Sequence, residues 1–163
     1  MFEGRSSILF IFGIISVLYG LFAVILGIWK IFLESLEEKM LQKHSDKTML
    51  LSIRGALFKG SFLEGICRRP ASGVLILFKE GLSFQSLIPG LNLWIPMEQI
   101  SAARMQEQFL GINHEFPVMV IKYSKNPQKE DFAGWRISQN SGFIEAVTAQ
   151  IGRAKKPLNN EQE

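Results

Sequence analysis

Histidine and cysteine are scarce in this chain of 163 residues: two of the first and one of the second. A single cysteine, Cys67, excludes an intrachain disulfide and is compatible with a reducing compartment. Arg68 and Arg69 beside it would favour a thiolate, but its apolar neighbour Ile66 fits a cysteine in a strand core. No Cys/His cluster has zinc spacing, no glycine-rich loop fits a phosphate cradle, and no G-x-S-x-G occurs. His44 falls in a charged segment and His114 in the loop Gly111-Ile112-Asn113-His114-Glu115; both read as solvated histidines without a catalytic partner. Asp131 and the scattered glutamates form no evident pair. These absences leave no catalytic, metal or cofactor-binding set, so an enzyme is not expected. The net charge of +3 is spread along the chain, and no aromatic–basic alternation is present. That balance suits an anionic membrane surface and gives no reason to expect a nucleic-acid partner.

What the chain does have is one long apolar run. Ile8 to Trp29 is 22 residues without a charge. As a helix rising about 1.5 Å per residue it covers roughly 33 Å, enough for a hydrocarbon core. It is too long for the apolar centre of a signal peptide, and Gly27-Ile28-Trp29-Lys30 is a poor cleavage site, so an uncleaved anchor is expected. Trp29 closes the run where indole rings favour the interface. Gly13, Ser16, Gly20, Ala23 and Gly27 recur at spacings of 3, 4, 3 and 4, one seam of a helix. Small residues on a seam let another backbone approach closely in lipid. The stripe therefore points to helix packing against another copy or a different protein. Only Arg5 precedes the run, whereas Lys30, Lys39, Lys43 and Lys47 follow it, which puts the C-terminal side in the cytoplasm.

The helix is expected to continue past the membrane. Glu34 and Glu38, and Lys39 and Lys43, are like charges four apart, so ion pairing does not support it. Its support is the apolar stripe Leu33, Leu36, Met40 and Leu41, free to pack on the following domain or on a neighbouring copy. Ser45-Asp46 is the expected break.

From Met49 the period changes. Leu51–Phe58 and Ser61–Cys67 read as one or two strands. Arg68-Arg69-Pro70-Ala71-Ser72-Gly73 is a turn, and Gly73–Phe78 is a strand buried on both faces. Lys79-Glu80-Gly81 turns the chain into a half-buried strand with Leu82 and Phe84 inward and Ser83 and Gln85 outward. Strands follow at Leu91–Ile95, Ile100–Glu107, Val118–Tyr123 and Phe132–Ile137. Helical spacing then returns in Phe143, Ile144, Val147 and Ile151, behind the capping residues Asn140 and Ser141 and ended by Gly152 and Pro157. Two loops have apolar tips, Leu87–Leu91 and Phe109–Ile112.

The motifs in this region resemble the bacterial PH and GRAM branch of the pleckstrin-homology-like superfamily. A strand opening G-x-L stands at Gly73-Val74-Leu75, and the following G-L-x-F at Gly81-Leu82-Ser83-Phe84. The segment I-P-[LM]-x-x-I stands at Ile95-Pro96-Met97-Glu98-Gln99-Ile100, and the closing helix carries Phe143, Ile144 and Val147. The resemblance covers Cys67 to Ile151. It departs from the family where a threonine usually follows the first strand; Phe78-Lys79-Glu80 stands there.

The expected fold class is α+β: an N-terminal transmembrane helix, then a PH-like antiparallel β-barrel or sandwich with a C-terminal capping helix. The divisions are 1–30 (tail and membrane helix), 31–48 (juxtamembrane helix and linker), 49–152 (PH/GRAM-like domain) and 153–163 (polar tail). The expected role is a non-enzymatic adaptor or structural subunit of a complex at the cell (inner) membrane. Two alternatives stand beside it. The resemblance implies possible anionic headgroup contacts at Arg68, Arg69 and Lys79, making the domain a lipid-binding module. The chain would otherwise be an accessory subunit of a membrane enzyme or transporter. Fold alone does not decide among these.

Overall fold

A computed structural model describes residues 3–61, 70–88, 90–126, 129–137 and 141–155. Helix α1 runs unbroken from Glu3 to Lys43, 41 residues, through the expected domain boundary at residue 30. From Phe12 it is long and apolar enough to cross a membrane, and its most apolar stretch is covered by none of the other described residues. The turn His44–Asp46 ends it, with Lys47 N–H donating to the His44 carbonyl at 2.9 Å.

Seven antiparallel strands follow: β1 Met49–Ser61, β2 Ala71–Phe78, β3 Gly81–Ser86, β4 Asn92–Pro96, β5 Ile100–Phe109, β6 Ile112–Asn126 and β7 Lys129–Arg136. They form one sheet in the order β4-β3-β2-β1-β7-β6-β5. The first of the two segments, Leu51–Phe58, lies in β1, which runs on to Ser61; residues 62–67, the rest of the second segment, lie outside the described residues. β1 is the central strand and serves both halves. It pairs with β2 from Met49 to Phe58 and with β7 from Leu57 to Ser61. Register shifts at Gly55 and Gly60, whose φ angles are 77° and 134°, bend it between the two partners.

The element order is the one the PH-like resemblance implies, but the barrel is not closed. β4 and β5 are the two edges of the sheet and do not pair. A short 3₁₀ turn, Met97–Gln99, joins them. Helix α2, Ser141–Lys155, packs against that turn and β5, so side chains rather than a ladder close this end. Gly152 does not terminate α2, which continues to Lys155. A single helical glycine costs only about 1 kcal/mol, and Ile151 beside it is buried.

The core between sheet and α2 centres on Phe58, Phe84 and Trp135, with ring centroids 5.5–6.0 Å apart. Leu75, Leu77, Ile121, Phe143 and Val147 complete it. Two motif glycines have a steric origin. A Cβ on Gly73 would stand 2.1 Å from the Gln85 carbonyl oxygen, and one on Gly81 would stand 2.5 Å from that of Ile95. Both strands therefore need glycine where their neighbours come closest. Asp131, almost fully buried, accepts hydrogen bonds from Tyr123 Oη and Ser61 Oγ, each at 2.6 Å, and from Phe132 N–H at 2.7 Å. It ties β1, β6 and β7 together.

Candidate functional site

Helix α1 and the sheet meet on the sheet's other face. β2 alternates, so Leu75 and Leu77 enter the main core while Val74, Ile76 and Phe78 point away from it. That second face is covered by α1. Leu33, Leu36, Glu37 and Met40, at i, i+3, i+4 and i+7, share one side of the helix. Leu33 and Met40 are buried against Val74, Ile76 and Phe78, with Leu36, Leu41, Leu87 and Trp94 around them. Burying each such side chain stabilises by about 1.5–3 kcal/mol, so the seam fastens the helix to the sheet. Of the two partners that the sequence left open for the Leu33–Leu41 stripe, the chain's own sheet takes it. The same cover buries Ser83, where alternation alone expects an outward residue.

Polar contacts extend the seam. Arg54 of β1 donates from Nε to Glu37 and from Nη1 to Glu34 at 2.9 Å. Glu34, one of the like charges along the helix, is thus paired across to the sheet together with Glu37. Arg54 was missed in the sequence; its signal is a lone charge between Leu50 and Leu57 on a strand otherwise expected to be apolar. Beyond the helix end, His44 stacks on Trp94, with centroids 4.9 Å apart and planes 24° apart, and tilts onto Phe78 at 5.4 Å. Lys47 Nζ lies 5.2 Å from the Trp94 ring. Burial, then the charges of Lys43 and Lys47, hold the His44 pKa below its ordinary 6.5, against the opposing pull of Asp46. His44 is therefore a half-buried residue resting on two rings, not the fully solvated one its charged neighbours suggest.

The small-residue stripe faces elsewhere. At about 100° per residue, Gly13, Ser16, Gly20, Ala23 and Gly27 centre about 130° round the helix from the Leu33–Met40 side. A Cβ on Gly13, Gly20 or Gly27 would touch none of the described residues, and Ser16 and Ala23 are exposed. Of the three possible headgroup residues, the structure describes Lys79 alone. Arg68 and Arg69 lie outside the described residues, as does Cys67. Lys79 is exposed in the β2–β3 turn, at the end of β2 away from Ala71. Among the described residues, no group of three His, Cys, Asp or Glu could hold a metal ion.

The apolar tips behave differently. In the β5–β6 turn, Leu110 and Gly111 have φ of 53° and 74°, a two-residue hairpin with both in the left-handed region. Phe109 folds back onto Val118 and Val120 and lies against Gly134, while Ile112 projects. In the β3–β4 turn, Leu87 packs beside the helix seam and Ile88 is 70 % exposed.

No protein-family model matches the sequence, and no curated protein is similar to it. Solved structures are similar in fold. The C-terminal domain of an unknown protein from Leishmania infantum aligns over 72 % of this chain and 96 % of its own, with a TM-score of 0.51 and 18 % identity. The Vps36 N-terminal PH domain aligns over 66 % of this chain and 80 % of its own, with a TM-score of 0.49 and 12 % identity.

Proposed function

We propose that this chain is a membrane-anchored PH-like protein of the bacterial PH/GRAM kind, acting as a non-enzymatic adaptor or structural subunit of a membrane complex. Its sheet lies on the cytoplasmic side of the cell membrane, as the lysines after the helix favour. The observation that carries the reading is the seam between α1 and β2. Leu33 and Met40 are buried on Val74, Ile76 and Phe78, and Arg54 binds Glu34 and Glu37. A domain fixed to its anchor in this way holds its free faces at one height and one angle to the bilayer. That is what a partner-positioning subunit needs. The stripe Gly13 to Gly27 is turned away from the sheet and is the face left for a second helix, from another copy or a different protein.

The test is recovery of tagged full-length chain from membranes in mild detergent, beside a Gly20→Leu variant. The expected result is an oligomer or a co-purifying membrane protein in the wild type, lost or weakened in the variant. A wild type that is monomeric and partner-free overturns the reading.

A further inference from the structure

We propose that the β3–β4 hairpin tip, Leu87 and Ile88, is a second membrane contact, inserting into the lipid interface beside α1. The proposal rests on reading α1 as a membrane span. Ile25, Ile28, Trp29 and Phe32 are at i, i+3, i+4 and i+7 and form one side of the helix. Across from them stand Leu87 and Ile88, with Ser72 at the base, around a groove of about 470 Å³. Among the described residues, no charged side chain lines it.

The occupant follows from the groove's height along the helix. The uncharged run closes at Trp29, and Lys30 is the first charge after it. Indole rings favour the level where hydrocarbon gives way to headgroups. Ile25 and Ile28 lie on the membrane side of that level, so the groove opens onto lipid around the helix. A tip facing these four residues meets the same lipid, and acyl chains fill the space between. Ile88, Trp29 and Phe32 are 70 %, 47 % and 62 % exposed within the chain, an apolar surface continuous with the span.

The tip is also held in place. Leu87 N–H donates to the Ser72 carbonyl at 2.8 Å, Ser86 N–H donates to the Leu91 carbonyl at 3.0 Å, and Ser86 Oγ donates to the Ile88 carbonyl. A fixed apolar projection needs less ordering on insertion than a mobile loop does. Lys79, at the opposite end of β2, is the corresponding point far from lipid.

The experiment uses full-length chain carrying Cys67→Ala, in vesicles of phosphatidylcholine and phosphatidylglycerol. Single cysteines at Ile25, Ile88 or Lys79 carry an environment-sensitive fluorophore, and nitroxide-bearing lipids act as quenchers. Ile88 is exposed, so its replacement leaves the core intact. The expected result is loss of fluorescence at Ile88 comparable with that at Ile25, and none at Lys79. Quenching at Ile25 without quenching at Ile88 overturns the proposal and leaves the span standing. Absence of quenching at Ile25 overturns the span and the proposal with it. Ile88 shielded from lipid yet cross-linking between copies assigns the groove to a second chain and overturns the lipid contact. Equal quenching at all three positions overturns it too, because the tip is then not distinguished from the rest of the domain.

Discussion

Arg54 of β1 donates a hydrogen bond to Glu37 of α1, joining the strand to the helix 17 residues before it in the chain. Glu37 is nearly buried while the arginine is about half exposed, so the two substitutions are not equivalent. Arg54→Met leaves a carboxylate under apolar cover without its donor, at a cost of about 1–3 kcal/mol. Glu37→Gln retains an acceptor and costs less. Arg54→Met combined with Glu37→Met recovers part of the loss, since neither residue then leaves an unmatched polar group. Denaturant unfolding of the wild type, Arg54→Met, Glu37→Met and the double variant in detergent micelles gives the coupling directly.

Phe78 and Leu77 are adjacent on β2 and both fully buried, but they serve different cores. Phe78→Ala removes the largest fully buried side chain under α1, with an expected loss of about 3–5 kcal/mol. Its particular consequence is release of the helix, read as new proteolytic cleavage between His44 and Thr48 while the sheet stays folded. Leu77→Ala costs about 2–5 kcal/mol and lowers the unfolding midpoint of the whole sheet without that selective cleavage. Limited proteolysis beside thermal unfolding separates the two outcomes.

Gly73 tests the steric reading of the strand motif. An added Cβ meets the carbonyl oxygen of Gln85 at 2.1 Å, and backbone cannot rotate away as a side chain can. Gly73→Ala therefore shifts the β2–β3 pairing and loses several kcal/mol, on the order of an overpacked core or more. Gly13→Ala meets no atom of the described residues and is expected to leave the fold unchanged. Circular dichroism and thermal unfolding of both variants check the contrast.

Legibility in the sequence divided along physical lines. Strands with a local signature, such as Gly73–Phe78 and its Lys79-Glu80 turn, could be read because two-face burial and a turn are written in adjacent residues. The long apolar helix and its extension were legible for the same reason: length, missing charge and an apolar stripe are local. What was not legible depended on pairs distant in sequence. Nothing near Arg54 announces Glu34 and Glu37, and nothing near His44 announces Trp94. The open edge between β4 and β5 is likewise a product of where α2 lands, not of either strand. The stripe Gly13–Gly27 was visible as a pattern, but that it faces away from the sheet needed the Leu33–Met40 contacts.

His44 gives the helix–sheet joint a pH dependence whose direction follows from its surroundings. Burial against Trp94 and Phe78, and the nearby Lys43 and Lys47, disfavour the imidazolium more than Asp46 favours it. The folded pKa therefore lies below the unfolded value near 6.5. Between those two values the unfolded chain binds more protons than the folded one, so this group's contribution to stability falls as pH drops. The contribution is intact above about pH 6.5 and levels off once pH passes below the folded pKa. Proton titration followed by NMR on the histidine ring should give a His44 midpoint below 6.5. In His44→Phe, which keeps a ring on Trp94 but cannot take a proton, unfolding midpoints measured from pH 7 to 5 should fall less than in the wild type. An equal fall in both proteins, or a His44 midpoint above 6.5, contradicts the packed neutral imidazole.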